Sequence, residues 1–419
     1  YKYADFFIGS VNALTGSQIA LLQLVLPLGI SFFTFTQIAF LVDSYRGKAR
    51  EYRFVYYVLF VTYFPHLIAG PVLHHKEMMP QFDLDRNYRL RAQNFQIGMS
   101  IFWLGMAKKV LLADNLAGYA NGLFGATDPP TLFIAWGGVL AYALQLYFDF
   151  SGYSDMAIGL SRMLGVRLPL NFNSPYKARN IIDFWRRWHM TLSRFLRDYL
   201  YFSLGGNRNG KLRRHVNLLL TMLLGGLWHG AGWNFVIWGG LHGLYLGINH
   251  AWLEFKARMG LGGYGKPGAV LAVTITFISV CYAWVFFRAP DLPRALQIVA
   301  GMSGANGIAL PDALFAGHAG LREALAGLGI QFFLGGTSRF LETWGYVIVI
   351  APIAFFMPNT QEIMRRYAPA LDVADAPLAP SVVNLRWRPR ARWAAGIACL
   401  AALCVMSLAR PSEFLYFQF

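Results

Sequence analysis

The stretch Leu223–Gly243, LLGGLWHGAGWNFVIWGGLHG, sets an imidazole, His229, among leucine, glycine and tryptophan, with no charged residue anywhere in the run. Such a run reads as membrane-embedded chain, where a titratable ring is costly unless it is tied into a structural hydrogen bond or performs chemistry. We take the second reading, with His229 as a base.

Composition fixes the solvent. The 419 residues are 56% hydrophobic, 16% aromatic and only 14% charged, with a mean hydropathy of +0.40. That is too apolar for an ordinary soluble enzyme of this length, and it implies an all-α, polytopic integral membrane protein. The formal net charge of +16 does not point to nucleic acid, because the basic residues fall in short clusters between apolar runs and form no single stripe. The clusters Arg208–Arg214 (RNGKLRR) and Arg386–Arg392 (RWRPRAR) read as cytoplasmic topogenic charge. Cys281, Cys399 and Cys404 sit inside apolar runs and suggest neither a disulfide framework nor a metal site.

A helix needs roughly 20 apolar residues to cross the hydrocarbon. On that measure Ile19–Val42, Phe54–Leu73 (broken at Pro65-His66), Phe95–Ala113 (carrying Lys108-Lys109), Thr131–Phe148, Ala269–Phe287 and Ala391–Ala409 are candidate spans, and Tyr346–Met357 is short for one. Val216–Trp228 and Trp233–Trp252 are two more or one long bent element. We expect about eight to ten membrane helices, organised as one membrane-embedded domain over residues 1–419. Ala368–Pro380, rich in Ala, Pro and Asp, reads as a mobile loop. The chain opens at Tyr1 without Met or a signal peptide, which reads as an N-terminus lying further upstream.

Ile181–Leu200 (IIDFWRRWHMTLSRFLRDYL) repeats at the helical period. Ile181, Phe184, Trp185, Trp188, Leu192, Phe195, Leu196 and Tyr199 share one face; Asp183, Arg186, Arg187, Arg194, Arg197 and Asp198 take the other. This predicts an interfacial or re-entrant amphipathic helix. His189 falls on its apolar arc. It is either a core histidine bonded to a backbone carbonyl or a ring facing the same cavity as His229, and the residues leave both readings open.

Around His229, Gly225, Gly226, Gly230 and Gly232 are a helix-packing signal that also leaves room for a substrate group. His242 lies roughly 140° round the helix from His229 and reads as structural, as does His66 at a kinked span. In FDFSGYSD (Phe148–Asp155), Asp155 reads as the N-cap of a helix beginning near Met156. Alternatively, Asp149 or Asp155 orients a histidine or a basic residue. No serine occupies a nucleophile-elbow context.

These residues match a known pattern. PHLIAGPV (Pro65–Val72), QLYFDFSGYSDMAIGL (Gln145–Leu160), NFNSPY (Asn171–Tyr176), FWRRWHMTLSRFLRDYLYFSLGGNR (Phe184–Arg208), Trp228-His229-Gly230 and the ending PSEFLYFQF (Pro411–Phe419) resemble the membrane-bound O-acyltransferases (MBOAT). Within that family the chain is most similar to the bacterial exopolysaccharide-acetylating branch, with residues 145–243 the most diagnostic region. The resemblance implies a multi-pass protein of the bacterial inner membrane, with re-entrant helices around a central tunnel. It places the family's catalytic histidine at His229 and a second polar site residue at His189, with Trp228, Asn234, Asp155 and Trp185 in support. It also implies membrane helices before Tyr1.

The implied activity is O-acyl transfer without a resident cofactor or metal. A cytoplasmic thioester, acetyl-CoA, would donate an acetyl group destined for alginate or cellulose, through a periplasmic acetyl-transfer partner and the exopolysaccharide synthesis and export machinery. A dry, apolar surrounding favours an uncharged imidazole, the form that accepts a proton. The competing reading is a transporter or flippase, since broken helices and buried ionisable residues also mark substrate paths. A third is a structural subunit of an export complex.

Overall fold

The computed structural model describes residues 2–24, 29–49, 53–67, 70–263, 265–373, 376–409 and 415, apart from the side chains of Ser31 and Phe32. Most of the PSEFLYFQF ending, part of PHLIAGPV, part of the Ile19–Val42 span and two residues of the Ala368–Pro380 loop lie outside them.

Helix α1 (Ala4–Thr15) ends at Gly16, whose φ of 71° gives the left-handed cap that glycine adopts without strain. Residues 19–24 are irregular, and among the described residues of the expected span from Ile19 the helix is α2 (Ile30–Tyr45). Helix α3 (Phe54–Thr62) stops ahead of Pro65, which sits in a 3₁₀ turn at Phe64–His66. A proline disfavours helical geometry in the residue before it. Helix α4 (His75–Phe82) follows.

Helix α5 (Ala92–Ala107) runs through a π turn, Lys108–Ala113, into α6 (Asp114–Phe124), making one rod of 33 residues. Helix α7 (Leu132–Met163) is 32 residues long. The short helices α8 (Ile181–Trp185) and α9 (Met190–Phe195) lead through a second π turn, Leu196–Tyr201, to α10 (Gly210–His229) and α11 (Trp233–Arg258). Val216–Trp252 is therefore two helices in a hairpin. Then come α12 (Lys266–Arg288) and α13 (Leu292–Met302). Strand β1 (Ile308–Pro311) pairs in parallel with β2 (Ile330–Phe333) across α14 (Ala319–Gly327), a small exception to the all-helical expectation. Helices α15 (Thr337–Phe356), α16 (Thr360–Met364) and α17 (Ala391–Ser407) close the described chain.

Among the described residues four helices are long and apolar enough to cross a membrane: the Ala92–Phe124 rod, α7, α12 and α15, with α17 shorter. This is fewer than eight to ten, because α2 has only 16 residues and α10 carries Arg213, Arg214, His215 and Asn217. Helix α15 begins nine residues before Tyr346 and is a full-length candidate, which the short apolar run did not suggest.

Helix α7 is the centre of the fold. Its apolar window is 72% buried, against 17% for α15, so α7 is enclosed by neighbours while α15 keeps a lipid-facing side. Glycines bring α5 against it. A Cβ on Gly105 would lie 2.6 Å from the Gly152 carbonyl oxygen, one on Gly152 2.7 Å from that of Gly105, and one on Gly159 2.6 Å from that of Gly98. Backbones this close exclude any side chain, and small residues of this kind are how helices associate in lipid.

The same crossing keeps α7 whole. Its carboxylates meet lysines of the π turn: Lys108 Nζ lies 2.6 Å from Asp155 Oδ2, and Lys109 Nζ lies 2.7 Å from both Asp149 Oδ1 and Asp114 Oδ1. Buried charges persist when paired, so the helix runs unbroken through FDFSGYSD. Asp155 is thus mid-helix and caps nothing, contrary to expectation.

Candidate active site

The Ile181–Leu200 periodicity does not yield one helix. The chain leaves helical geometry after Trp185 and re-enters it at Met190, and His189 sits at the break with φ 42° and ψ 53°. The cause is the NFNSPY segment, which docks into the gap. Asn173 N–H donates to the Arg187 carbonyl (2.9 Å) and Met190 N–H to the Asn171 carbonyl (2.9 Å). Arg187 also pairs with Asp183 (2.8 Å) and donates to the Asn173 carbonyl (3.2 Å). Tertiary hydrogen bonds replace the intrahelical ones that the amphipathic pattern alone would favour.

Asn171 then fixes the His189 ring. Its Oδ1 accepts from Thr191 Oγ1–H (2.9 Å) and Thr191 N–H (3.3 Å), while its Nδ2 donates to Ser154 Oγ (3.1 Å). The atom facing His189 Nδ1 at 3.1 Å is therefore the amide oxygen, so Nδ1 carries the proton and donates. Nε2 is the basic nitrogen of the neutral ring. Thr191 Oγ1 in turn accepts from Val72 N–H (2.9 Å), tying in the chain that follows the PHLIAGPV motif's break.

His229 is the last residue of α10, and Gly230 after it is extended. Its ring is half-buried and packs edge-on against Trp228, Trp238 and Phe287, with centroids 4.7, 5.1 and 5.1 Å away. The ring nitrogens make no hydrogen bond among the described residues. Lys2 Nζ donates to the carbonyls of Trp228 (2.6 Å) and His229 (3.1 Å), a cation at the negative end of the α10 dipole that holds this terminus in place.

His229 and His189 line one cavity, together with Asp149 and the side chains of Phe150, Trp188, Trp238, Trp284 and Phe287. The cavity is narrow, about 20 Å³, space for about one water molecule. Of the two readings left open for His189, the structure thus shows the ring facing the His229 cavity, bonded to an amide side chain.

The supporting residues scatter. Trp228 stacks on Phe35 (4.6 Å) beside His229. Asn234 donates to the Ala289 carbonyl (3.0 Å) and is off the cavity. Trp185 packs against His242 (5.1 Å) and Trp238 (5.9 Å), also off it. Asp155 is held between Lys108 and Gln361 Nε2 (2.9 Å), away from the histidines. Asp149 takes the position expected of Asp155: it lines the cavity and pairs with Lys109. The hint lay in the FDFSGYSD alternative that one carboxylate orients a basic residue.

Two of the glycines beside His229, Gly226 and Gly230, are packing sites and create no room. A Cβ on Gly226 would strike the Phe235 carbonyl, and one on Gly230 the Phe235 ring. His66 is satisfied, with Nδ1 2.6 Å from the Tyr63 carbonyl oxygen. His242 is enclosed by Phe184, Trp185 and Trp238 and does not reach the cavity.

Elsewhere Asp43, His74 and His75 stand at metal-ligand spacing. Hydrogen bonds account for the group: Asp43 Oδ2 lies 2.9 Å from Tyr199 Oη and 3.0 Å from Nε2 of each histidine. His74 Nδ1 accepts from Lys76 N–H (3.3 Å), so its Nε2 carries the proton and is a donor. Outside the spanning segments, burial and the neighbouring His74 push the His75 imidazole down to about 4.

Long apolar helices enclosing a cavity with two histidines define a multi-pass membrane protein with its candidate site inside the helical body. The chain belongs to the membrane-bound O-acyltransferase (MBOAT) family, whose model matches residues 13–288. It is 47% identical over 335 residues to the peptidoglycan O-acetyltransferase of Helicobacter pylori, covering 74% of this chain and 63% of that protein. It is 39% identical over 426 residues to the probable alginate O-acetylase AlgI of Pseudomonas putida, covering 100% of this chain and 81% of that protein. The teichoic acid D-alanyltransferase of Bacillus subtilis is 27% identical over 281 residues, covering 63% of this chain and 69% of that protein. The chain thus spans a little under two thirds of the Helicobacter protein.

Proposed function

We propose that this chain acts in the bacterial inner membrane as an O-acyltransferase, moving an acetyl group from a cytoplasmic thioester, acetyl-CoA, towards a polysaccharide such as alginate. His229 is the general base. It removes the proton of an acceptor hydroxyl as that oxygen attacks the thioester carbonyl; the carbon–sulfur bond breaks, and the leaving thiolate takes the proton back from the imidazolium. General-base assistance of this kind is worth about 10²- to 10⁴-fold in rate. The acceptor is a sugar hydroxyl or the serine of a periplasmic partner that passes the acetyl group to the polymer.

One observation carries this reading: His229, whose ring nitrogens are unoccupied by the described residues, shares a cavity with a second imidazole whose tautomer Asn171 fixes. His189, with Nε2 as its basic atom, orients the acceptor or shares its proton. The relatives, named for acetylation of peptidoglycan and alginate, support the reaction class. Because the cavity holds about one water molecule, the aromatic side chains around it must move apart when both reactants load.

The test is the acetyl content of each secreted polysaccharide in a deletion strain complemented with the wild-type gene or with His229→Ala. Acetylation should return with the wild type alone. Restoration by the variant would refute the base assignment, and His229-dependent solute flux without acyl transfer would favour a transporter.

A further inference from the structure

We propose that the pocket between α16 and residues 378–388 is a binding site for phosphate-bearing ligands; it extends the transferase reading above by adding a site apart from the histidine cavity. The pocket has a volume of about 530 Å³ and is lined by Arg365, Arg366, Arg386 and Arg388, with Glu362 as its one carboxylate among the described lining residues. Four arginines therefore line the pocket against one acid. That acid is already engaged: Glu362 Oε2 accepts from Asn359 N–H (3.0 Å) and Oε1 from Ala379 N–H (2.7 Å).

The wall is built, not a chance crowding of surface arginines. Trp387 is buried, packs edge-on against Tyr367 (5.0 Å), and its backbone N–H donates to the Ile363 carbonyl (3.0 Å). Trp387 forms part of the pocket wall, and its neighbours Arg386 and Arg388 line the pocket on either side of it. Both are exposed, as is Arg366, and none of the three has an ion pair among the described residues. Arginine's planar fork matches phosphate oxygens two at a time.

Placement favours phosphate over other anions. The pocket lies between the end of α15 and the start of α17, where Arg390 and Arg392 add further positive charge. Basic residues flanking apolar helices mark the cytoplasmic side, where both anionic lipid headgroups and phosphorylated thioester donors are found. The far side of the same wall reaches the site: Asn359 Nδ2 donates to Asn173 Oδ1 and Ser174 Oγ (3.0 Å each), in the segment whose Asn171 holds His189.

The experiment uses the purified full chain in nanodiscs, wild type against Arg366→Ala/Arg388→Ala and the charge-keeping Arg366→Lys/Arg388→Lys. Coenzyme A binding is measured in neutral phosphatidylcholine discs, and retention of phosphatidylglycerol in mixed discs. If the donor supplies the phosphate, the alanine pair weakens coenzyme A binding at least 10-fold and the lysine pair falls between. If a lipid supplies it, phosphatidylglycerol retention drops at least 10-fold while coenzyme A is unaffected. Unchanged binding of both probes overturns the proposal. Neither probe requires turnover, so failure of the transferase reading would appear separately, as acetylation that survives His229→Ala.

Discussion

Helix α7 and the Ile181–Tyr201 stretch are opposite cases of one rule. The first carries two aspartates, four glycines and the serine-containing motif FDFSGYSD, yet it is continuous over 32 residues. The second has near-ideal amphipathic spacing, yet it breaks into two short helices and a π turn around His189. In both, partners from elsewhere in the chain decide. Lys108 and Lys109 neutralise the carboxylates that would have interrupted α7, whereas Asn171 and Asn173 take the backbone groups that would have continued the helix through His189. Local pattern sets which faces are apolar; pairing across the fold sets where a helix stops.

The comparison is broken most severely by Lys109→Ala. It strands Asp149 and Asp114 together, both largely buried, and removing one partner of a buried pair costs about 3–5 kcal/mol. Thermal unfolding in detergent should show that loss, and a smaller one for Asp149→Ala, because Lys109 keeps Asp114 at 2.7 Å. Equal effects would mean that the lysine does not hold α7 together. Next comes the glycine crossing: Gly105→Ala places a methyl 2.6 Å from the Gly152 carbonyl oxygen and should cost about 1–3 kcal/mol as α5 and α7 move apart.

On the other side of the comparison, Asn171→Ala removes the acceptor shared by His189 Nδ1 and Thr191. Folding should lose about 1–3 kcal/mol, while acyl transfer falls about 10- to 100-fold through kcat as the ring loses its orientation. A purely structural role would leave kcat per folded molecule unchanged.

The smallest effect concerns His75, in the Asp43–His74–Tyr199 group that ties α2 and α4 to the second π turn. Its folded-state imidazole titrates near 4, below the ordinary 6.5. The unfolded chain thus takes up the proton first, and stability present above about pH 6.5 is lost as pH falls towards 4. His75→Gln should flatten that slope. A slope unchanged by the substitution would assign the acid loss to other groups.

Much of this was legible in the residues. The apolar runs marked α12 and α17 to within a few residues, and the glycine- and tryptophan-rich setting of His229 singled out the ring that lines the cavity. The pairing of His229 with His189 was one of two open readings, since periodicity placed His189 on an apolar face without saying what lay opposite. What stayed hidden was long-range. Asp149 and Asp155 look alike in FDFSGYSD, and only the register of α5 against α7 sends one to the cavity and the other to Lys108. The family resemblance put Asn234 in support of the site, but the turn at 230–232 carries it to the Ala289 carbonyl.

The central claim is that His229 takes a proton during acyl transfer. The most direct measurement follows label from acetyl-CoA to a periplasmic acceptor fraction with purified protein, comparing wild type, His229→Ala and, as a control off the cavity, His242→Ala. The account predicts a loss of about 10²- to 10⁴-fold for His229→Ala alone, with unfolding temperatures matched. Transfer by His229→Ala within a few-fold of the wild-type rate would contradict it.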